Sequence, residues 1–315
     1  MKNVWITGAR GFIGRYLARH LHTLGCTVSG IGHGAWPVRE AAQWGVSFWM
    51  NSEISSSNLG QMYSSVGQPD VVFHLAGGAS VGAAVVNPHE DFTRTVVTTA
   101  DLLEWLRQYS RETRIVAVSS AAVYGSGHND SIAEEARLSP FSPYGTHKLM
   151  MEELCRSYAA NFGLKVALPR LFSVYGPGLK KQLLWDLCNK IVSNQEIELG
   201  GTGDERRDWV DVRDVAGGLE KMENYSSVDA PTVNLASGKA TTVREITTIL
   251  IEKWMAAGGS TRKVNFSGRS RPGDPFSLVA DVRQMRAMGI MQDISIDQGI
   301  ADYVTWYRTQ TGGAV

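Results

Sequence analysis

The 315-residue sequence carries no net charge, since 31 Lys and Arg balance 31 Asp and Glu, and no basic run stands out. Nucleic acid and an acidic membrane surface are therefore not expected as partners. Cysteine is scarce. Cys26, Cys155 and Cys188 are too far apart for metal-ligand spacing, so no metal site is expected, and the thiols read as the reduced cysteines of a cytoplasmic protein. No apolar run reaches the ~20 residues that span a bilayer, and the chain enters a strand directly instead of opening on a signal peptide. The 33 glycines follow no period, which excludes a repeat or fibrous architecture. What remains is a soluble chain long enough to bury a large core, as one large domain or two interlocked ones.

What the chain does have is concentrated at its start. Val4-Trp5-Ile6 is a short apolar strand, Thr7-Gly8-Ala9-Arg10-Gly11-Phe12-Ile13-Gly14 spaces three glycines by three, and Tyr16, Leu17, Leu21 and Leu24 continue at helical spacing. A strand, a glycine turn and a helix in this order let backbone N–H groups approach a pyrophosphate at the positive end of the helix. Further strands are expected at 27–31, 46–49, 71–76 and 115–119, with a long helix from about Pro88 to Tyr109. Short β-branched runs separated by helices predict a parallel sheet covered on both faces, the doubly wound α/β (Rossmann) pattern. Ser142, Pro143 and Gly163 bound another helix by their cap preferences.

Beyond Pro177 the regularity fails. A helix is expected at 183–192, strands at 197–199 and 232–236, and an amphipathic helix at 243–255. The expected organisation is a Rossmann domain over 1–172, with returns from about 208–240, and a smaller α/β C-terminal substrate lobe mainly over 173–315. The lobe would lie over the sheet's carboxyl edge, where ligands of such sheets bind.

Tyr144 and Lys148 are one helical turn apart and share a face. An ammonium beside a phenol is expected to lower a pKa that starts near ~10, suiting the tyrosine to proton exchange near neutrality. Ser119-Ser120 leaves a strand at the same sheet edge, so a Ser120 hydroxyl there can bond a substrate oxygen alongside Tyr144. His147 and His74 read as structural.

With the glycine turn, Ser120 and the Tyr144/Lys148 helix in this order, the chain resembles the extended short-chain dehydrogenase/reductase family that acts on nucleotide-diphosphate sugars. His74-Leu75-Ala76-Gly77, Arg170 to Gly178, Gly201 to Ala216 and Arg271-Pro272-Gly273-Asp274 are similar to further signatures of that family. The resemblance implies Ser120, Tyr144 and Lys148 as catalytic residues. It implies cofactor contacts from Gly8, Arg10, Gly11, Phe12, Ile13, Gly14, Gly32, His33, Leu75, Ala76, Gly77, Tyr144 and Lys148. Substrate contacts would come from Ser80, Ser120, Ser173, Arg207 and Arg271, the arginines suiting phosphate oxygens through their planar fork. The resemblance also implies a homodimer, paired through the Pro88–Tyr109 and Tyr144 helices.

Departures from the family pattern narrow the expectation. Ala121 and Ala122 stand where the dehydratases carry an acid pair, so 4,6-dehydration is not expected. Ser173 replaces an asparagine that often touches the substrate phosphate. At the end of the second strand, Ile31-Gly32-His33-Gly34 lacks the carboxylate that receives the adenine ribose hydroxyls in NAD enzymes. Arg10 offers a positive partner for a 2′-phosphate, as in the similar GDP-fucose synthases. NADP(H) is therefore favoured over NAD(H), and with it net reduction of a 4-keto-6-deoxy sugar nucleotide at C4, with Tyr144 as proton donor. A nucleotide-sugar 4-epimerase with tightly held NAD is the alternative, and a non-catalytic nucleotide-binding sensor the remote one.

Overall fold

The computed structural model describes residues 1–193, 196–260, 263–269 and 275–311. Its first half alternates strands and helices: β1 (Asn3–Thr7), α1 (Phe12–Thr23), β2 (Thr27–Gly32), α2 (Val38–Gln43), β3 (Val46–Asn51), α3 (Ser56–Val66) and β4 (Val71–His74). Then come α4 (Val81–Val86), α5 (Pro88–Phe92), α6 (Thr98–Tyr109), β5 (Arg114–Ala117), β6 (Ser119–Ser120), α7 (Pro143–Phe162) and β7 (Lys165–Leu171). The second half holds β8 (Ser173–Tyr175), α8 (Gln182–Val192), β9 (Ile197–Leu199), β10 (Arg206–Asp211), α9 (Val212–Met222) and β11 (Thr232–Leu235). It closes with β12 (Ala240–Thr242), α10 (Val243–Ala256), β13 (Val264–Phe266), β14 (Ser277–Leu278), α11 (Arg283–Ala287) and α12 (Ile296–Gln310).

Strands that read as continuous apolar runs need cover on both faces, and the large sheet provides it. Its order is β11-β7-β5-β4-β1-β2-β3 with β6 beside β7, and all its pairings are parallel. One face packs Leu17, Ala18 and Leu21 of α1 with Leu219 and Met222 of α9. The other packs Trp5 and Val72 against Leu102 and Leu106 of α6 and Met151 and Cys155 of α7. Chain direction across the sheet reverses between β1 and β4, and at such a switch point the loops after the two strands part and leave a crevice.

The smaller sheets are built differently. β10 runs parallel to β8 and β14 and antiparallel to β12, and β9 pairs with β13. A third core fills the space between α8, α10 and α12 with Leu184, Leu187, Trp254, Tyr303 and Tyr307. β11 belongs to the large sheet although it follows β8 to β10 in sequence.

The single helix expected from Pro88 to Tyr109 is interrupted by a wider π-type turn at Thr93–Val97. Threonine hydroxyls compete with the backbone ladder there: Thr99 Oγ1 donates to the Thr95 carbonyl at 2.6 Å and Thr98 Oγ1 to the Arg94 carbonyl at 2.5 Å. Such back-bonding loosens a helix and favours a local bulge. Thr95 Oγ1 is left to accept the Gly78 N–H at 2.8 Å. The interruption thereby ties the helix to the loop after β4.

Candidate active site

The turn after β1 is glycine for steric reasons. Gly8 has φ +75°, and a Cβ on it would sit 3.1 Å from the Ala76 nitrogen and 3.2 Å from the Leu75 carbonyl carbon. A Cβ on Gly14 would overlap the Gly8 carbonyl. α1 begins after Gly11 with no side-chain cap, whereas Ser55, Ser80, Ser142, Thr242 and Ser295 cap their own helices. The first N–H groups of α1, at Phe12 and Ile13, thus have no side-chain acceptor at the cap position and are free to face an anion. This arrangement fits the pyrophosphate of a dinucleotide.

At the end of β2, Gly32 is buried and His33 exposed. Gly34 donates to Asn51 Oδ1 at 2.8 Å and accepts from Trp49 Nε1 at 3.1 Å. The Arg10 guanidinium packs against Gly34. Its Nε is buried without a hydrogen-bond partner among the described residues.

The loop after β4 is held by Thr7, whose carbonyl accepts the Leu75 N–H at 3.1 Å and whose hydroxyl accepts the Ala76 N–H at 3.1 Å. His74 lies buried between Thr7 Oγ1 at 2.8 Å and Thr99 Oγ1 at 2.9 Å. Burial pushes its pKa down to about 3, so it is a neutral packing residue. Gly77 is the loop's closest approach to the reacting end: a Cβ there would be 3.3 Å from Lys148 Nζ. Ser80 uses its hydroxyl to accept the Ala83 N–H as the cap of α4.

α7 starts where Ser142 accepts the Gly145 N–H at 3.2 Å, has Pro143 in its first turn, and ends at Gly163 with φ +73°. Its first two turns carry Tyr144 and Lys148. The Ser120 hydroxyl faces the Tyr144 phenol and accepts the Ala122 N–H at 3.2 Å. Lys148 is 4% exposed and donates to the Val118 carbonyl at 2.9 Å. Burial draws its pKa down to about 8 against the opposing charges of Asp91 and Glu152. Tyr144 departs from expectation, because burial raises its pKa and outweighs the Ser120 hydrogen bond. With Lys148 held at the Val118 carbonyl, Tyr144 is a protonated phenol at neutral pH.

Of the expected substrate contacts, Ser173 opens β8 and pairs with Trp209 of β10. Arg207 lies on β10, with Nη1 donating to the Arg206 carbonyl at 2.8 Å. Arg271 and the loop to Asp274 lie outside the described residues.

A family model described as the NAD dependent epimerase/dehydratase family matches residues 4–236. The chain belongs to that family. It is 27% identical over 269 residues to a putative UDP-glucose 4-epimerase of Methanocaldococcus jannaschii, covering 82% of this chain and 84% of that protein. The structure of Thermus thermophilus UDP-glucose 4-epimerase with NAD is 26% identical, with a TM-score of 0.85 over 99% of this chain and 100% of that one. MoeE5 in complex with UDP-glucuronic acid and NAD is 28% identical, with a TM-score of 0.85 over 98% and 99%. The chain is therefore an enzyme of the extended short-chain dehydrogenase/reductase group that acts on nucleotide sugars.

Behind the hydroxyls of this family member lies a network the motif reading missed. Glu152 is fully buried and receives Arg170 through two hydrogen bonds of 2.9 and 2.7 Å, while Ser119 Oγ donates to it at 2.6 Å. Arg170 Nη1 also donates to the Tyr124 hydroxyl at 2.9 Å, and that hydroxyl donates to Asn234 Oδ1 at 2.6 Å. A bidentate ion pair of this kind fixes both partners. Here it clamps the Ser119–Ser120 strand end onto α7. The available signal was Glu152 itself, one turn beyond Lys148 on the same helix face. His147 is likewise buried, with Nδ1 2.6 Å from Asp91 Oδ2, and Asp91 in turn packs against Gly78.

Proposed function

We propose that this enzyme is a C4 epimerase of a UDP-linked sugar working with NAD(H). The observation that carries the reading is the convergence of Ser120, Tyr144 and Lys148 on the crevice that opens at the uncapped start of α1. The named relatives and neighbours, UDP-glucose 4-epimerases among them, support it. They favour the 4-epimerase that the sequence reading kept second over the 4-ketoreductase it put first.

In this scheme Tyr144 exchanges the proton of the sugar 4-hydroxyl, Ser120 orients that oxygen, and Lys148 holds the ammonium beside the loop at Gly77. NAD, held against the Gly8 turn and the start of α1, would supply hydride acceptance and return at the sugar C4, so that neither proton nor hydride is consumed overall. Residues 173–315, apart from the return to the large sheet over about 208–240, act mainly as the substrate lobe, with Arg207 and Arg271 on the diphosphate. The purified protein is expected to interconvert UDP-glucose and UDP-galactose, followed by proton NMR, without net turnover of added cofactor. Net NADPH oxidation driven by a 4-keto-6-deoxy sugar nucleotide, with no C4 interconversion, would replace this reading.

The second reading, an NADP(H)-dependent 4-ketoreductase, has one specific observation in its favour: Arg10 packs against Gly34 where a carboxylate would otherwise sit. On that reading Arg10→Ala raises the KM for NADPH about ten-fold, the scale of a lost charge-assisted hydrogen bond, and leaves that for NADH in place. Equal values for the two cofactors in the unaltered protein remove the argument. A homodimer and a cytoplasmic setting belong to the same proposal. The exposed apolar side chains Tyr109 on α6 and Met150 and Phe162 on α7 support the dimer, and light scattering in solution tests it.

A further inference from the structure

Asp91 of α5 and His147 of α7 form a buried pair that belongs to none of the motifs above. Asp91 is 6% and His147 9% exposed, with His147 Nδ1 at 2.6 Å from Asp91 Oδ2. A carboxylate only accepts, so Nδ1 carries the hydrogen whichever charge the ring bears. Phe92 packs T-shaped against the imidazole, ring centroids 5.5 Å apart, and holds it between the two helices. With Oδ2 taken by His147, Oδ1 is turned to the loop after β4, where a Cβ on Gly78 would overlap it.

The preceding residue of that loop meets the opposite charge. A Cβ on Gly77 would lie 3.3 Å from Lys148 Nζ, so the Lys148 ammonium and the Asp91 carboxylate occupy the side-chain places of two consecutive glycines. Thr95 Oγ1 fixes the loop there by accepting the Gly78 N–H at 2.8 Å. The titratable groups around Lys148 are Tyr144 one turn before it, Glu152 and Cys155 beyond it on α7, His74 of β4 and Asp91 of α5. Burial keeps Tyr144, Cys155 and His74 uncharged at neutrality. Glu152 is spent on Arg170 at 2.7 Å and Arg156 at 3.1 Å. Asp91 is left, among the described residues, as the carboxylate of this group with no arginine on it. Its attraction is the foremost charge opposing the desolvation of Lys148, and without it burial disfavours the ammonium further.

We propose that Asp91, anchored by His147, is a positioning residue that keeps Lys148 cationic and seated against the Gly77–Gly78 loop. The part this gives Lys148 in turnover rests on the C4-epimerase reading above.

The test titrates Lys148 directly, by NMR of protein carrying ε-carbon-labelled lysine, with Lys148→Arg identifying the resonance. The unaltered protein is compared with Asp91→Asn, Asp91→Ser and His147→Gln, and the pH profile of kcat for C4 epimerisation of UDP-glucose is measured on the same samples. Asp91→Asn keeps the shape and Asp91→Ser is smaller, but both remove the charge. Each is expected to lower the Lys148 midpoint by about one pH unit, the low end of what an opposite charge within ~4–6 Å contributes, and the alkaline limb of kcat should descend with it. His147→Gln keeps a donor for Asp91 and should leave the midpoint in place. An unmoved midpoint in the charge-removing variants, unfolding of both, or an equal displacement in His147→Gln overturns the proposal and leaves the pair a staple between α5 and α7. A lowered midpoint with no epimerisation by the unaltered protein upholds the proposal and overturns the epimerase reading alone. Epimerisation with an unmoved midpoint does the reverse.

Discussion

The large parallel sheet and the smaller sheets of the second half hold their shapes by different means. Around the large sheet the site is made chiefly of backbone: the Gly8 turn, the uncapped start of α1 and the loop from Leu75 to Gly77. In the smaller sheets single carboxylates tie the loops. Asp208, fully buried, accepts from Ser237 N at 2.6 Å, Ser237 Oγ at 2.7 Å, Gly238 N at 2.9 Å and Ala280 N at 3.1 Å. Glu205 similarly accepts from Thr202 N at 2.8 Å and Gly203 N at 2.9 Å. Backbone sites tolerate side-chain change as long as the glycines stay, whereas a loop tied by one carboxylate depends on that residue. Substitutions near the large sheet should therefore damage chemistry first, and those in the smaller sheets should damage shape first.

The largest effect expected is on Tyr144→Phe. It should lower kcat about a thousand-fold, within the range of a lost acid–base group, while the melting curve by circular dichroism stays within a few degrees. A collapse of the melting temperature instead would erase the distinction between chemistry and shape. Glu152→Ala sits where the two meet, because it leaves Arg170 buried and unpaired. A loss of about 3–5 kcal/mol is expected in urea unfolding, together with weaker activity as the Ser119–Ser120 strand end comes loose from α7.

Asp208→Ala strips the acceptor from three backbone N–H groups and one hydroxyl. About 3 kcal/mol should be lost, since each unsatisfied buried group costs about 1–3 kcal/mol and some will find new partners. Cofactor binding, followed by fluorescence, should survive it. Loss of cofactor binding at full stability would show that Asp208 serves chemistry before shape.

The smallest effect is in the pH profile. Burial lowers the Lys148 pKa to about 8, so its ammonium is lost as pH rises through that value. Activity should accordingly fall about ten-fold per pH unit above it. Lys148→Arg should carry the limb to higher pH, because a guanidinium keeps its charge.

Legibility in the sequence divides along similar lines. The helix at 143–162 was readable from Ser142, Pro143 and Gly163 because caps and glycine stops act within one turn. The glycine turn was readable for the same reason, and so were the parallel strands, whose apolar runs record burial on both faces. The π-type turn at Thr93–Val97 was not, since its cause includes the Gly78 N–H reaching Thr95 from another loop. Nor was α12, whose Tyr303 and Tyr307 gain meaning only against Leu184, Leu187 and Trp254.

The sequence by itself determined the glycine turn, the buried strands of the parallel sheet and the caps of α7, and which residue types can exchange a proton or face a pyrophosphate. Backbone preference and hydrophobic period are properties of neighbouring residues. Only the tertiary structure decided that Glu152 meets Arg170 across 18 positions, His147 meets Asp91 across 56, and Lys181 reaches Ala79 across 102. It also decided that the Tyr144 pKa rises where a neighbouring ammonium was expected to lower it. Desolvation and long-range pairing depend on what the whole fold brings around a side chain, and no stretch of local sequence contains that.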